Sequence, residues 1–122
     1  MAYILPVSSI PISVIELPLF QRLSADVWDD AEGEAFVDFI ARNPEAGDVI
    51  PQTGGVRKVR WRRQGSGKRG GVRVVYFYHD AQMPIFLLLL YAKAQREDMT
   101  PDQKRQARSL VAMLRRAYGR KG

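Results

Sequence analysis

Between Gly54 and His79 the sequence holds no acidic side chain and eight cations: Arg57, Lys58, Arg60, Arg62, Arg63, Lys68, Arg69 and Arg73. Lys58, Arg60 and Arg62 alternate, so a strand through them sets all three on one face. Like charges along one face repel, and a phosphodiester backbone is the ligand that would relieve them. Arginine suits this role because its planar fork grips phosphate oxygens in pairs and stays charged at neutral pH. Trp61, Tyr76, Phe77 and Tyr78 interleave the cations, and such rings can stack on unpaired bases. Two plainer readings stand beside this one. Charge can defend an edge strand against aggregation, and each ring can be core.

Other chemistries find less support. The glycine-rich segment Gly65–Gly71 has neither the residue order of a P-loop nor a following helix. His79, the single histidine, stands beside Asp80 at a strand end and reads as a cap or surface residue. With one histidine and no cysteine, little is left for a metal site, and no cofactor is expected. The carboxylates gather in the N-terminal third, where surface helices carry them, rather than in a pair suited to hydrolysis.

The 122 residues have ordinary globular composition, 46% hydrophobic and 26% charged, which excludes a disordered chain and fits one domain, with residues 1–12 as a short arm. The net charge of +6 is unevenly spread. Residues 1–50 carry −7, and residues 51–122 carry +13. A half this basic is the electrostatic footprint of a polyanion-binding surface. Met1–Leu17 lacks the basic start of a signal peptide and is broken by Pro6 and Pro11. Ile85–Leu90 is the most apolar run and falls far short of the ~20 residues that span a bilayer. A cytoplasmic protein without a membrane partner is expected, and the absence of cysteine fits a reducing compartment.

The elements that must position the cations can be read from periodicity. Ser13–Leu17 reads as a strand between two prolines. Helical spacing follows from Pro18, with Ser24 as a possible cap and Trp28, Ala35, Phe36, Phe39 and Ile40 as its apolar stripe. Gly33 weakens its middle and divides it into two helices. Asn43-Pro44 stops it, and residues 44–55 read as a loop. Val56–Arg63 is a strand, with Val59 and Trp61 on the face opposite Lys58, Arg60 and Arg62. Val72–Tyr78 is a second strand. Ile85–Tyr91, apolar on both faces, is a third, central and covered on each side. An antiparallel meander is the simplest arrangement. Thr100-Pro-Asp-Gln103 then opens a helix with a capping box, and Ala107, Leu110, Val111 and Leu114 make its stripe. The expected fold class is α+β: a small antiparallel sheet, made of the N-terminal strand plus the three-stranded meander, packed against N-terminal helices with a C-terminal helix.

Taken together, Gly-Gly-Val-Arg-Lys-Val-Arg (54–60), the glycine-rich turn, Gly-Gly-Val-Arg-Val-Val-Tyr (70–76) and Leu-Leu-Tyr-Ala-Lys (89–93) resemble the RelE/HigB toxin superfamily. The Tyr-Ala-Lys ending is most similar to the HigB branch, and the resemblance covers residues 13–115. It implies a RelE-like fold, an antitoxin partner of the helix-turn-helix HigA kind, and cleavage of mRNA in the decoding site of the 70S ribosome. Operator DNA would be met only through the antitoxin complex.

Carried over residue by residue, the resemblance puts the two basic residues of the family's second strand on Lys58 and Arg60. The arginine of the next strand falls on Arg73, and the basic residue after the last strand on Lys93. Ala94 stands where RelE proteins have an arginine that serves as leaving-group acid, with Arg96 the nearest substitute. Thr100 stands near the place of the stacking tyrosine, a role left to Tyr91 or Trp61. Arg57, Trp61, Arg62, Lys68, Arg69, Tyr91 and Arg96 are the expected RNA contacts.

Such chemistry works without histidine. RNA carries its own nucleophile, the 2′-hydroxyl, so the protein need only orient it and stabilise charge on the phosphorane. Arginine is a poor general base, whereas lysine can give up a proton when like charges crowd it. Lys58 is therefore expected as base or its orienter, Arg60 and Arg73 as phosphate clamps, and Lys93 as stabiliser of the leaving oxygen. The rival readings are a non-catalytic RNA- or DNA-binding module and a co-repressor subunit that keeps the basic groove.

Overall fold

The computed structural model describes residues 11–62, 71–92 and 99–118. Its elements run β1 (Val14–Glu16), α1 (Pro18–Ser24), α2 (Asp30–Arg42), β2 (Asp48–Val49), β3 (Val56–Trp61), β4 (Val72–Phe77), β5 (Ile85–Ala92) and α3 (Pro101–Tyr118). The fold class is α+β. Five strands form one sheet in the order β1-β5-β4-β3-β2, with β3, β4 and β5 as the expected antiparallel meander.

Two features of the sheet correct the sequence reading. β1 lies parallel to β5, Val14 opposite Ile85, so the sheet is mixed rather than wholly antiparallel. A parallel neighbour requires a crossover, and here more than half of the chain separates the two strands. Residues 44–55 are also not all loop, because Asp48 and Val49 pair with Lys58 and Arg57. Two residues are too few to show a period.

The helical region does divide in two, but not at Gly33. Ser24 ends α1, its hydroxyl donating to the Gln21 carbonyl (3.1 Å). The cap of α2 is Asp29, whose carboxylate accepts from the Glu32 N–H at 2.8 Å, with Asp30 and Glu32 at the positive dipole end. Gly33 is interior to α2, and a Cβ there would lie 3.0 Å from Trp28 Nε1. The glycine makes room for an indole rather than breaking a helix. Ala35, expected on the apolar stripe, is exposed.

Each face of the sheet has its own core. Phe20, Phe36 and Ile40 of α1 and α2 pack with Val59, Val74, Tyr76, Ile85 and Leu87. On the other face, Ala107, Val111 and Leu114 of α3 pack with Val56, Val75, Phe77, Phe86 and Leu88. α3 begins as expected: the Gln103 side chain accepts from the Thr100 N–H (2.9 Å) and the Thr100 hydroxyl accepts from the Gln103 N–H (3.1 Å). No described helix is long and apolar enough to cross a membrane.

Candidate nucleic-acid interface

Register decides which cations share a surface, because residues directly opposite on paired strands point to the same side. Arg60 lies opposite Arg73, Lys58 opposite Val75, and Val56 opposite Phe77. Val56, Val75 and Phe77 belong to the α3 core, so Lys58, Arg60 and Arg73 all project on the α3 side of the sheet. Directly opposed residues have Cβ atoms about 5 Å apart and diagonal ones about 7–8 Å, which keeps Lys58, Arg60 and Arg73 within the span of one phosphodiester. Arg60 is exposed, whereas Arg73 is 9% exposed and is the one buried charged side chain among the described residues.

A bulge on β5 extends this row. Val75 pairs with Leu89 but Tyr76 pairs with Leu87, so Leu88 is the extra residue. Leu88 and Leu89 therefore both face α3, and Tyr91, rather than Leu90, falls opposite Arg73. Such a one-residue shift exchanges the faces of everything beyond it. Tyr91 thus shares the cationic face, yet it is only 3% exposed. It walls Arg73 and offers no open ring for a base.

α3 is fastened to the turn that leads into β3. Arg108 Nη1 donates to the Gln52 carbonyl at 2.7 Å and Arg115 Nη2 to the Gly54 carbonyl at 2.9 Å. The Arg115 guanidinium also lies 5.4 Å from the centre of the Phe77 ring. These contacts tie the helix to the turn before β3. Arg60 lies four residues along the strand from Val56, about 13 Å away at the rise of a β-strand.

Two expected RNA contacts belong to the opposite face. Trp61 meets Phe36 and Phe39 at centroid distances of 5.3 Å each, which makes it a core ring under α2. Arg57 turns the same way, and its Nη1 donates to the Gly47 carbonyl at 2.7 Å. Both are odd-numbered on β3, and the apolar α2 side claims odd positions. Arg62 follows β3 and is exposed. Lys68, Arg69, Lys93 and Arg96 lie outside the described residues.

Sequence reasoning missed the structure around Gly47. The buried Tyr76 hydroxyl donates to the Pro44 carbonyl (2.7 Å) and accepts from the Gly47 N–H (2.9 Å). Burial pushes the Tyr76 phenol above its ordinary pKa, although the Gly47 bond pulls the other way. Burial likewise raises Tyr78. A Cβ on Gly47 would stand 2.7 Å from the Lys58 carbonyl oxygen, so only glycine permits this close passage. Immediately after it, Asp48 takes its place opposite Lys58. A paired carboxylate on the cationic face had no signature in the sequence, because its partner is ten residues away across a strand too short to recognise.

The model of the RelE toxin of the RelE/RelB toxin–antitoxin system matches residues 41–121, well over half of the chain. The chain belongs to the RelE toxin family. The match takes in β2 to β5 and α3, and with them every residue of the cationic face. Membership in the RelE family makes the chain the toxin of a toxin–antitoxin pair, with an antitoxin as its protein partner. β1, α1 and most of α2 precede the match; β1 is an edge strand of the sheet, and the two helices cover its other face.

Proposed function

We propose that this RelE-family toxin is an endoribonuclease that cleaves mRNA on the ribosome and thereby stops translation. The observation that carries the reading is the register that gathers Lys58, Arg60 and Arg73 on one face of the sheet, with Arg60 exposed. A phosphodiester seated there has Arg60 and Arg73 as a two-sided clamp. As the 2′-oxygen attacks phosphorus, charge grows on the non-bridging oxygens, and two guanidiniums already in place meet it without reorganising. The P–O5′ bond then breaks, giving a 2′,3′-cyclic phosphate and a 5′-hydroxyl. Lys58 serves as base or its orienter, and Lys93 stabilises the leaving 5′-oxygen.

Among the described residues no exposed ring borders these cations, which favours grip on the backbone over reading of a base. Arg62, Lys68, Arg69 and Arg96 would extend that grip. We assign the chain to the HigB branch on its Tyr-Ala-Lys ending, as a single cytoplasmic domain that needs no metal or cofactor. Its antitoxin is of the helix-turn-helix HigA kind, and operator DNA is reached through that partner.

Expression without the antitoxin tests the reading. Growth arrest is expected, with mRNA cut only when ribosomes translate it, and a 2′-deoxy nucleotide at the scissile position should block the cut. Harmless expression with RNA retention would instead favour a non-catalytic binder.

A further inference from the structure

The proposed mechanism leaves the proton of the 2′-hydroxyl without a well-suited acceptor. Arginine stays charged at neutral pH, and lysine accepts a proton only in its neutral form. A carboxylate is the group that does this work without needing a shifted pKa. On the cationic face, β2 supplies one. Asp48 is directly opposite Lys58, and Ile50, two residues on, packs into the α3 core, which places Asp48 on the α3 side as well.

The two-residue strand that carries Asp48 is held with unusual care. Gly47 has both of its backbone polar groups bound to side chains from the other face of the sheet. Its N–H goes to the Tyr76 hydroxyl, and its carbonyl accepts from Arg57. Tyr76 also fixes Pro44, the Ile50 N–H donates to the Val56 carbonyl at 2.8 Å, and Gly47 runs too close to the Lys58 carbonyl for any side chain. An exposed edge pair alone is worth a fraction of a kcal/mol to about 1 kcal/mol and does not call for a buried tyrosine and an inward arginine to position it. Fixing a reactive group to within a fraction of an ångström does.

We infer that Asp48 is the general base of the cleavage reaction, with Lys58 as its orienter. This rests on the nuclease reading above. The diagonal spacing from Asp48 to Arg60, about 7–8 Å, leaves room for a ribose between carboxylate and guanidinium. The Asp48 carboxylate takes the 2′-hydroxyl proton as the 2′-oxygen–phosphorus bond forms. The P–O5′ bond breaks, and the leaving oxygen gains a proton from the cationic side of the site or from water. Lys58 and Arg60 are the charged groups that face Asp48 from β3 and orient it.

Cleavage of a ribosome-bound mRNA by Asp48→Asn, followed across pH 5–9, tests this. Loss of about 100-fold or more in kcat is expected, with KM unchanged or lower because a negative charge near the phosphate is gone. The wild type should lose rate toward acid pH, Asp48→Asn should lack that limb of the profile, and Asp48→Glu should recover part of the loss. An edge pair that only closed the sheet would shift the melting temperature and leave the pH profile alone. Wild-type kcat and pH profile in Asp48→Asn overturn the inference while leaving the nuclease reading intact. A wild-type protein that cuts no RNA overturns both.

Discussion

The two faces of β3 are built from the same kinds of residue and do opposite things. Lys58 and Arg60 stand on the α3 side, and Arg60 opens to solvent. Arg57 and Trp61, their immediate neighbours, turn to the α1–α2 side, where one holds a backbone carbonyl and the other packs between aromatic rings. A cation or an aromatic ring is therefore no sign of RNA contact by itself. Its parity along the strand decides which face it joins. One face presents charge; the other fixes the segment that lies beside that charge.

On the α3 side, Arg73→Ala removes a guanidinium buried on the central strand, and we expect a loss of cleavage on the order of 100-fold or more, as for removal of one preorganised donor to a developing oxyanion. Cleavage of a translated mRNA, normalised to folded protein, measures it. On the opposite side, Trp61→Ala should cost about 3 kcal/mol of stability, read by denaturant unfolding, because it empties a site between Phe36 and Phe39. Its cleavage rate per folded molecule should stay within a few-fold of the wild type. A large catalytic loss at full stability would return Trp61 to the RNA surface.

Gly47→Ala links the two faces. The new methyl group collides with the Lys58 backbone, so a loss of about 1–3 kcal/mol should come with a fall in cleavage that stability alone does not explain. The smallest expected effect is pH-dependent. Burial raises the Tyr76 pKa in the folded protein, so stability is whole below the ordinary phenol value near 10 and declines as pH rises past it, where the unfolded chain ionises first. Tyr76→Phe should be less stable at neutral pH, by about 1–3 kcal/mol for the buried Gly47 N–H left unpaired. Its unfolding free energy should then show a weaker alkaline decline, since Tyr78 still titrates.

Much of this was legible before the structure. Alternation gave β3 its two faces and put Lys58 and Arg60 together, and the capping box of α3 forms with the atoms expected of it. What could not be read were non-local facts. The run of leucines from 87 to 90 has no alternation, so nothing in it announces the bulge at Leu88 that turns Tyr91 toward Arg73. Asp48 sits in a stretch whose polarity and proline suggest only a loop, and its pairing with Lys58 depends on Tyr76 and Arg57 reaching through from elsewhere. Gly33 misled because propensity treats glycine as a helix breaker, whereas here a neighbouring indole requires its missing side chain.

Two arginines three residues apart on one strand separate the faces when Arg60→Ala and Arg57→Ala are compared in single-turnover cleavage of a ribosome-bound mRNA. A loss of about 100-fold is expected for Arg60→Ala, at nearly unchanged stability. Arg57→Ala should be weakened chiefly in stability, with a much smaller change in cleavage that follows from looser placement of Asp48. Equal rates for the two variants, or a larger catalytic loss for Arg57→Ala, would contradict the assignment of the α3 face to RNA.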